Sequence, residues 1–236
     1  MSTWARRART IVASAGSVEV GVAGQGRPLA RHAVTPSGAL LFSLREAAPA
    51  CAHLVAAGTT GPDILATAAD VSAVSHPGRV RGLVRLGGRA EVLQHPVDEQ
   101  LRSHLGITED GLVARLAPTS ITLDWRVEVE GLRDVVHVEA KDYAAADVDA
   151  LAGWQDEWMA HLDSHHRQDL RRLVAGVVPL HESGVVRPLL ADETGLVARE
   201  STPDAGDRDI RVPFPHVVRC GCQAVQALTG MLAVMR

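Results

Sequence analysis

Aromatic residues make up only 3% of this 236-residue chain. A core organised around stacked rings is excluded, so Val, Leu and Ala have to fill it. Lysine is almost missing as well: Lys141 is the one lysine, and every other basic side chain is arginine or histidine. There is no excess of positive charge. A net charge of −4 and a pI near 6.2 leave no global field to attract nucleic acid or an anionic membrane. Cys51, Cys220 and Cys222 are too few and too irregularly spaced for a secreted disulfide scaffold. Cys220-Gly221-Cys222 falls one residue short of a CxxC redox or zinc motif, so a pair of reduced, small side chains in or near a helix is expected. No apolar run approaches the length of a membrane span, and Thr10–Gly16 is too polar for the core of a signal peptide. Nor is there a GxSxG, a P-loop, or a GxGxxG after a strand. Together these absences predict a cytoplasmic protein that uses neither nucleic acid nor membrane as a partner.

The chain is long enough for two modest domains, each with its own core. Its first part is rich in strand signals. Residues 4–15 read as an amphipathic helix, with Ala5, Ala8, Ile11 and Val12 on one side. Strands follow at 17–22, 29–34, 39–44 and 64–74, with turns at Gly24-Gln25-Gly26 and Thr35-Pro36-Ser37-Gly38 and a helix over 47–57. Residues 79–93 form the clearest strand, bent or bulged at Gly87-Gly88. A short helix at 98–105, closed by Gly106, precedes strands at 111–124 and 127–139. The alanine-rich stretch 143–152 reads as a linker. Residues 154–173 read as the longest helix and the joint between the halves. Beyond it, strands at 185–190, 196–200 and 210–214 and a final helix at 217–235 make a second, smaller unit. The reading is α+β: a split β-barrel over 1–145 followed by a small α+β C-terminal domain over 146–236.

Two groups of side chains carry candidate chemistry. With strict alternation, Arg79, Arg81 and Arg85 project to one face of their strand. Three guanidinium forks there could cradle a phosphate or a propionate, or form a solvated outer face. His161 and His165 lie four apart and share a helix face. Two imidazoles at that spacing can ligate a metal, and Asp169 could orient His165 from behind. The same groups could instead cap the helix and tie it down. The histidines beside prolines, His76, His95 and His216, read as loop residues.

The segment His161-Leu162-Asp163-Ser164-His165-His166-Arg167-Gln168-Asp169-Leu170 resembles the HLN-x-DH-x-DD-L signature of a small C-terminal domain of unknown function. Asp163 stands where the signature has Asn, and His165 and Gln168 stand where it has Asp. Ala191-Asp192-Glu193-Thr194-Gly195-Leu196 and Arg211-Val212-Pro213-Phe214-Pro215 are similar to that domain's turn and last strand. The domain follows an FMN-binding split barrel in HugZ-like heme-utilisation oxygenases and in glutamyl-tRNA-reductase-binding proteins. Val80–Val92, VRGLVRLGGRAEV, resembles a strand of pyridoxamine-phosphate-oxidase-like barrels, whereas Glu46–Val55 does not match their flavin-binding stretch. The resemblance implies a homodimer that binds a small-molecule ligand, heme or FMN, and possible kinship with heme-degrading oxygenases. It equally implies the other role in that group, a non-catalytic regulatory protein that binds a protein partner.

Overall fold

The computed structural model describes residues 2–22, 25–29, 31–47, 49–56, 64–76, 78–93, 97–108, 111–129 and 134–234. In chain order its elements are α1 (Thr3–Ser14), β1 (Val18–Val22), β2 (Gln25–Leu29), β3 (Ala33–Val34), β4 (Leu40–Ser43), α2 (Pro49–Ala56), β5 (Ile64–Val71), β6 (Val80–Val92), α3 (Glu99–His104), β7 (Val113–Trp125), β8 (Asp134–Val138), α4 (Ala140–Ala145), α5 (Gln155–His165), α6 (Arg167–Ala175), β9 (Val185–Asp192), β10 (Gly195–Thr202), β11 (Gly206–Pro213) and α7 (Gly221–Val234). They group into two compact units. Unit 1 takes Met1–Asp70, Gly82–Trp125 and Asp134–Val148; unit 2 takes Val71–Arg81, Arg126–Arg133 and Asp149–Arg236.

Unit 1 is a curled, split-barrel sheet of eight strands, ordered β2-β1-β5-β6-β7-β4-β3, with β8 also on β7. The long β7 explains the branch. Along one edge it pairs with Gly82–Val92 of β6. Its other edge is shared, Val113–Leu116 pairing with β4 and Ile121–Trp125 with β8. Period-2 burial drives the assembly: Ile121, Leu123 and Trp125 of β7 and Val84 and Leu86 of β6 are all buried. Each such side chain contributes roughly 1.5–3 kcal/mol by leaving water. The expected bulge is present, with the β6–β7 register shifting between Gly87 and Gly88. Only glycine fits there, because a Cβ on Gly88 would lie 2.4 Å from the Ala117 carbonyl oxygen.

Three polar side chains are built into this unit. Arg9 on α1 is 4% exposed and donates to the Thr35 and Pro36 carbonyls. Its guanidinium also lies 5.4 Å from the centre of the buried Tyr143 ring. Burial pushes the Tyr143 hydroxyl up to about 12, against the opposing charge of Arg9. The His32 Nε2–H donates to the Val12 carbonyl at 2.7 Å. Burial holds that imidazole below its ordinary pKa, opposed by the bond to Val12 and helped by nearby His104.

Unit 2 contains a three-stranded antiparallel sheet, β11-β10-β9, and α5, α6 and α7. Leu162, Leu170, Leu196, Val212, Phe214 and Leu228 belong to one continuous core. The β9–β10 turn is fixed by Asp192. Its carboxylate accepts from the Thr194 N–H at 2.9 Å and hydroxyl at 2.6 Å, and receives both arms of Arg211 at 2.9 and 2.8 Å. Burial alone would raise the Asp192 pKa; the bonds and charge of Arg211, with Thr194, outweigh it and hold the carboxyl below its ordinary value. Glu200 is fully buried, and it accepts from Arg208 and from the His181 N–H. A buried carboxylate is tolerable only with such partners.

Several local expectations change. The helix read over 154–173 is two helices, because His166 leaves helical geometry at φ −127°, ψ 28°. The Asp163 carbonyl accepts from the Arg167 side-chain Nε, so a side chain takes the place of a ladder bond. The apolar spacing of Met159, Leu162, Leu170 and Leu173 runs on through the break, which hides it from a periodicity reading. Gln25 and Gly26, expected in a turn, open the edge strand β2, in which only Leu29 is buried. Pro28 is acceptable on such an edge. The strand expected over 127–139 is confined to Asp134–Val138 among the described residues. The expected linker begins inside α4, where Tyr143 is fully buried. Cys220 and Cys222, expected as free thiols, form a disulfide. Gly24, Ala57, Pro77, His95 and Pro96 lie outside the described residues.

Candidate functional site

The arginines expected to act together take separate places. Arg81 is 3% exposed in unit 2, where it donates to the Leu189 carbonyl at 2.9 Å and to Gln155 Oε1 at 3.2 Å, and lies 3.7 Å from Asp156. Gln155 Oε1 also accepts from the Ala191 N–H, so Arg81 fastens the start of α5 to β9. Arg79 is exposed and borders a polar cavity of about 460 Å³, also in unit 2, with Arg126, Glu128, Arg199, Asp207 and Asp209. Within that lining Arg199 donates to both oxygens of Asp209 at 2.7 and 2.8 Å. The bonds to Asp209 raise the Arg199 pKa further, against its burial. Arg85 is exposed and belongs to unit 1.

The histidines do come together. The His161 ring centre lies 5.0 Å from that of His165 and 5.1 Å from that of His166. Both spacings follow from the local fold: His161 and His165 are one turn apart on α5, and the break at His166 swings the next imidazole back toward His161. Among the described residues, no group of three or more His, Cys, Asp or Glu side chains stands close enough to hold a bare metal ion.

What distinguishes His161 and His166 from His165 is what they border. Both line a second cavity of about 460 Å³ in unit 2. Its walls are Trp158 and Leu162 from α5, Leu170 and Leu173 from α6, Leu196 from β10, and Val225, Leu228, Leu232 and Ala233 from α7. Asp169, Arg172 and Thr229 complete the lining. A largely apolar hollow with a few convergent polar groups is the form of a small-molecule site. Each contributing element has its own reason to be there. The apolar rows of α5 and α6 cover the sheet, α7 packs against α6, and Leu196 reaches the hollow from β10.

Asp169 does orient a histidine, but a different one from the residue expected. Its Oδ2 stands 3.3 Å from His166 Nδ1 and its Oδ1 3.3 Å from Arg172. A carboxylate on Nδ1 fixes the tautomer that carries its proton there and leaves Nε2 as a lone-pair donor. His166 and Arg172 are the residues that the spacing argument missed. The i, i+4 rule pointed to His165, whereas the helix break gives Asp169 to His166 as an i, i+3 partner.

Over its whole length the chain is similar to the solved structure of a heme binding protein from Mycobacterium smegmatis. The identity is 20% and the TM-score 0.61, covering 100% of this chain and 98% of that one. At that identity the likeness establishes the shared fold. A protein of unknown function from Agrobacterium tumefaciens aligns over 98% of this chain and 97% of its own, at 16% identity and a TM-score of 0.38. No family model and no curated protein matches the chain.

Proposed function

We propose that unit 2 binds heme, in the cavity lined by α5, α6, β10 and α7. The observation that carries this reading is the pairing of an apolar hollow with His166, whose Nδ1 side is held by Asp169. The absence of a three-ligand metal cluster among the described residues is compatible with it. Porphyrin supplies four of the iron ligands itself, so one or two imidazoles are enough. His166 Nε2 and His161 are the available donors, the leucine walls suit the macrocycle, and Arg172 suits a propionate. When bound, heme would supply an iron centre and one-electron redox chemistry. The part of this chain is to exclude water from the ring and hold one imidazole in a fixed tautomer. FMN fits the same hollow less well, because Arg172 is the one cation among the described lining residues and the walls offer little to the polar edge of a flavin. The fold shared with a heme binding protein supports the heme reading.

Titration of the purified protein with hemin, followed at the Soret band, tests the proposal. Wild type and His165→Ala are expected to saturate with the same spectral shift. The double variant His161→Ala, His166→Ala should bind about tenfold more weakly or worse. A double variant that binds like the parent overturns the assignment. A wild-type protein that ignores both hemin and FMN points to the protein-interaction role instead.

A further inference from the structure

We propose that Cys220 and Cys222 are a reversible thiol–disulfide exchange site, independent of the cavity. The two Cα atoms are 5.4 Å apart, inside the range that a disulfide spans, and the structure joins the two sulfurs. The pair sits in solvent reach at the head of α7, with Cys222 exposed and Cys220 half-buried. A structural disulfide gains most by closing a long loop, and this one closes a loop of a single intervening residue. It therefore does little to restrain the unfolded chain, and stability alone gives weak reason for it.

The surroundings favour exchange. Cys220 occupies the N-cap position of α7, and its Sγ accepts from the Gln223 N–H at 3.4 Å. The Gln223 side chain turns back to accept from the Arg219 N–H at 2.7 Å. The arrangement is similar to a capping box, with sulfur in place of the usual hydroxyl and the glutamine reaching the amide one residue before the cap. An amide donor and the positive end of a 14-residue helix both stabilise a thiolate at Cys220. In the reductive direction, the thiolate of a small thiol attacks the exposed Cys222 Sγ. The Cys220–Cys222 bond breaks, and Cys220 leaves as the capped thiolate. A second reductant thiolate then attacks the outer sulfur of the mixed disulfide. It releases Cys222 and forms the reductant's own disulfide, so that two thiols and one protein disulfide become one small disulfide and two protein thiols. A stabilised leaving thiolate makes the protein disulfide easy to reduce.

The indole of Trp154 gives the site a built-in reporter. It lies over Gly221, with ring atoms 3.3–3.5 Å from where a Cβ would stand. The full-length protein carrying Cys51→Ser is equilibrated in buffers of varied reduced-to-oxidised glutathione ratio, quenched with an alkylating reagent and weighed. The expected result is two alkylated thiols at the reducing end and none at the oxidising end, with no glutathione adduct. Tryptophan emission should change along the same curve, and Trp154→Phe should remove most of that change. Two thiols that persist in excess oxidised glutathione overturn the proposal, as do stable glutathione adducts or a disulfide that excess reduced glutathione leaves intact. Should Cys51→Ser not fold, peptide mapping of alkylated wild type reads the same three outcomes at Cys220 and Cys222.

Discussion

Arg9, His32 and Tyr143 in unit 1 are at most 9% exposed; Arg9 and His32 are held by backbone carbonyls, and the Tyr143 ring lies against the Arg9 guanidinium. His161, His165, His166 and Asp169 in unit 2 are half-buried or exposed, and two of those histidines border an apolar hollow. Both regions contain imidazoles and charged side chains, so residue type does not separate them. Accessibility does. A titratable group sealed in a core and tied to the backbone serves the fold, whereas one at the rim of an apolar cavity has a lone pair to offer a ligand.

The contrast can be broken at several points, with effects of decreasing size. Leu123→Ala in unit 1 should cost about 2–5 kcal/mol in denaturant unfolding, because Leu123 is wholly buried. Arg81→Leu should cost about 1–3 kcal/mol by the same measurement, since it removes the side-chain donor to the Leu189 carbonyl and leaves Gln155 Oε1 with the Ala191 N–H alone. Asp169→Asn should leave stability nearly unchanged and weaken hemin binding by about 10–100-fold, with His165→Ala as the silent control. Arg85→Ala on the exposed face of β6 should stay within about 0.5 kcal/mol of wild type.

Acid should separate the two units as well. His32 has a lowered pKa in the folded state, so the folded chain binds fewer protons there than the unfolded one. Its contribution is complete above about pH 6.5 and is lost as the pH falls below that value. Asp192 also has a lowered pKa, but as a carboxyl its contribution is complete above about pH 4 and is lost only below it. Unfolding curves at pH 7, 5.5 and 3.5 should therefore show loss first at unit 1. A His32→Gln variant should flatten the upper step, and Arg211→Gln the lower one.

The strands and helices that the sequence announced best are those whose burial follows a simple period. Val84 and Leu86 on β6, Ile121 to Trp125 on β7, and the α3 helix capped by Asp98 are of this kind. The Asp192–Gly195 turn was equally legible, since Asp and Gly at those positions suit a tight connection. Features set by the backbone or by tertiary packing were not. β2 is an exposed edge strand held by main-chain pairing, so it leaves no apolar pattern. The break at His166 preserves the apolar spacing on both sides, so the sequence pattern does not show it. The histidine cluster was visible from its crowding in sequence. The cavity beside it was not, because about a third of its lining comes from α7, some 60 residues further on.

Hemin contains paramagnetic iron, and its broadening of methyl resonances is the most direct reading of where it binds. In protein labelled at Leu and Val methyls, added hemin should broaden Leu196, Val225, Leu228 and Leu232 first and most strongly, while free Zn-protoporphyrin should shift the same set without broadening it. Strongest broadening at core methyls of unit 1, such as Leu86 and Leu123, with the cavity methyls unchanged, would contradict the assignment of the site to unit 2.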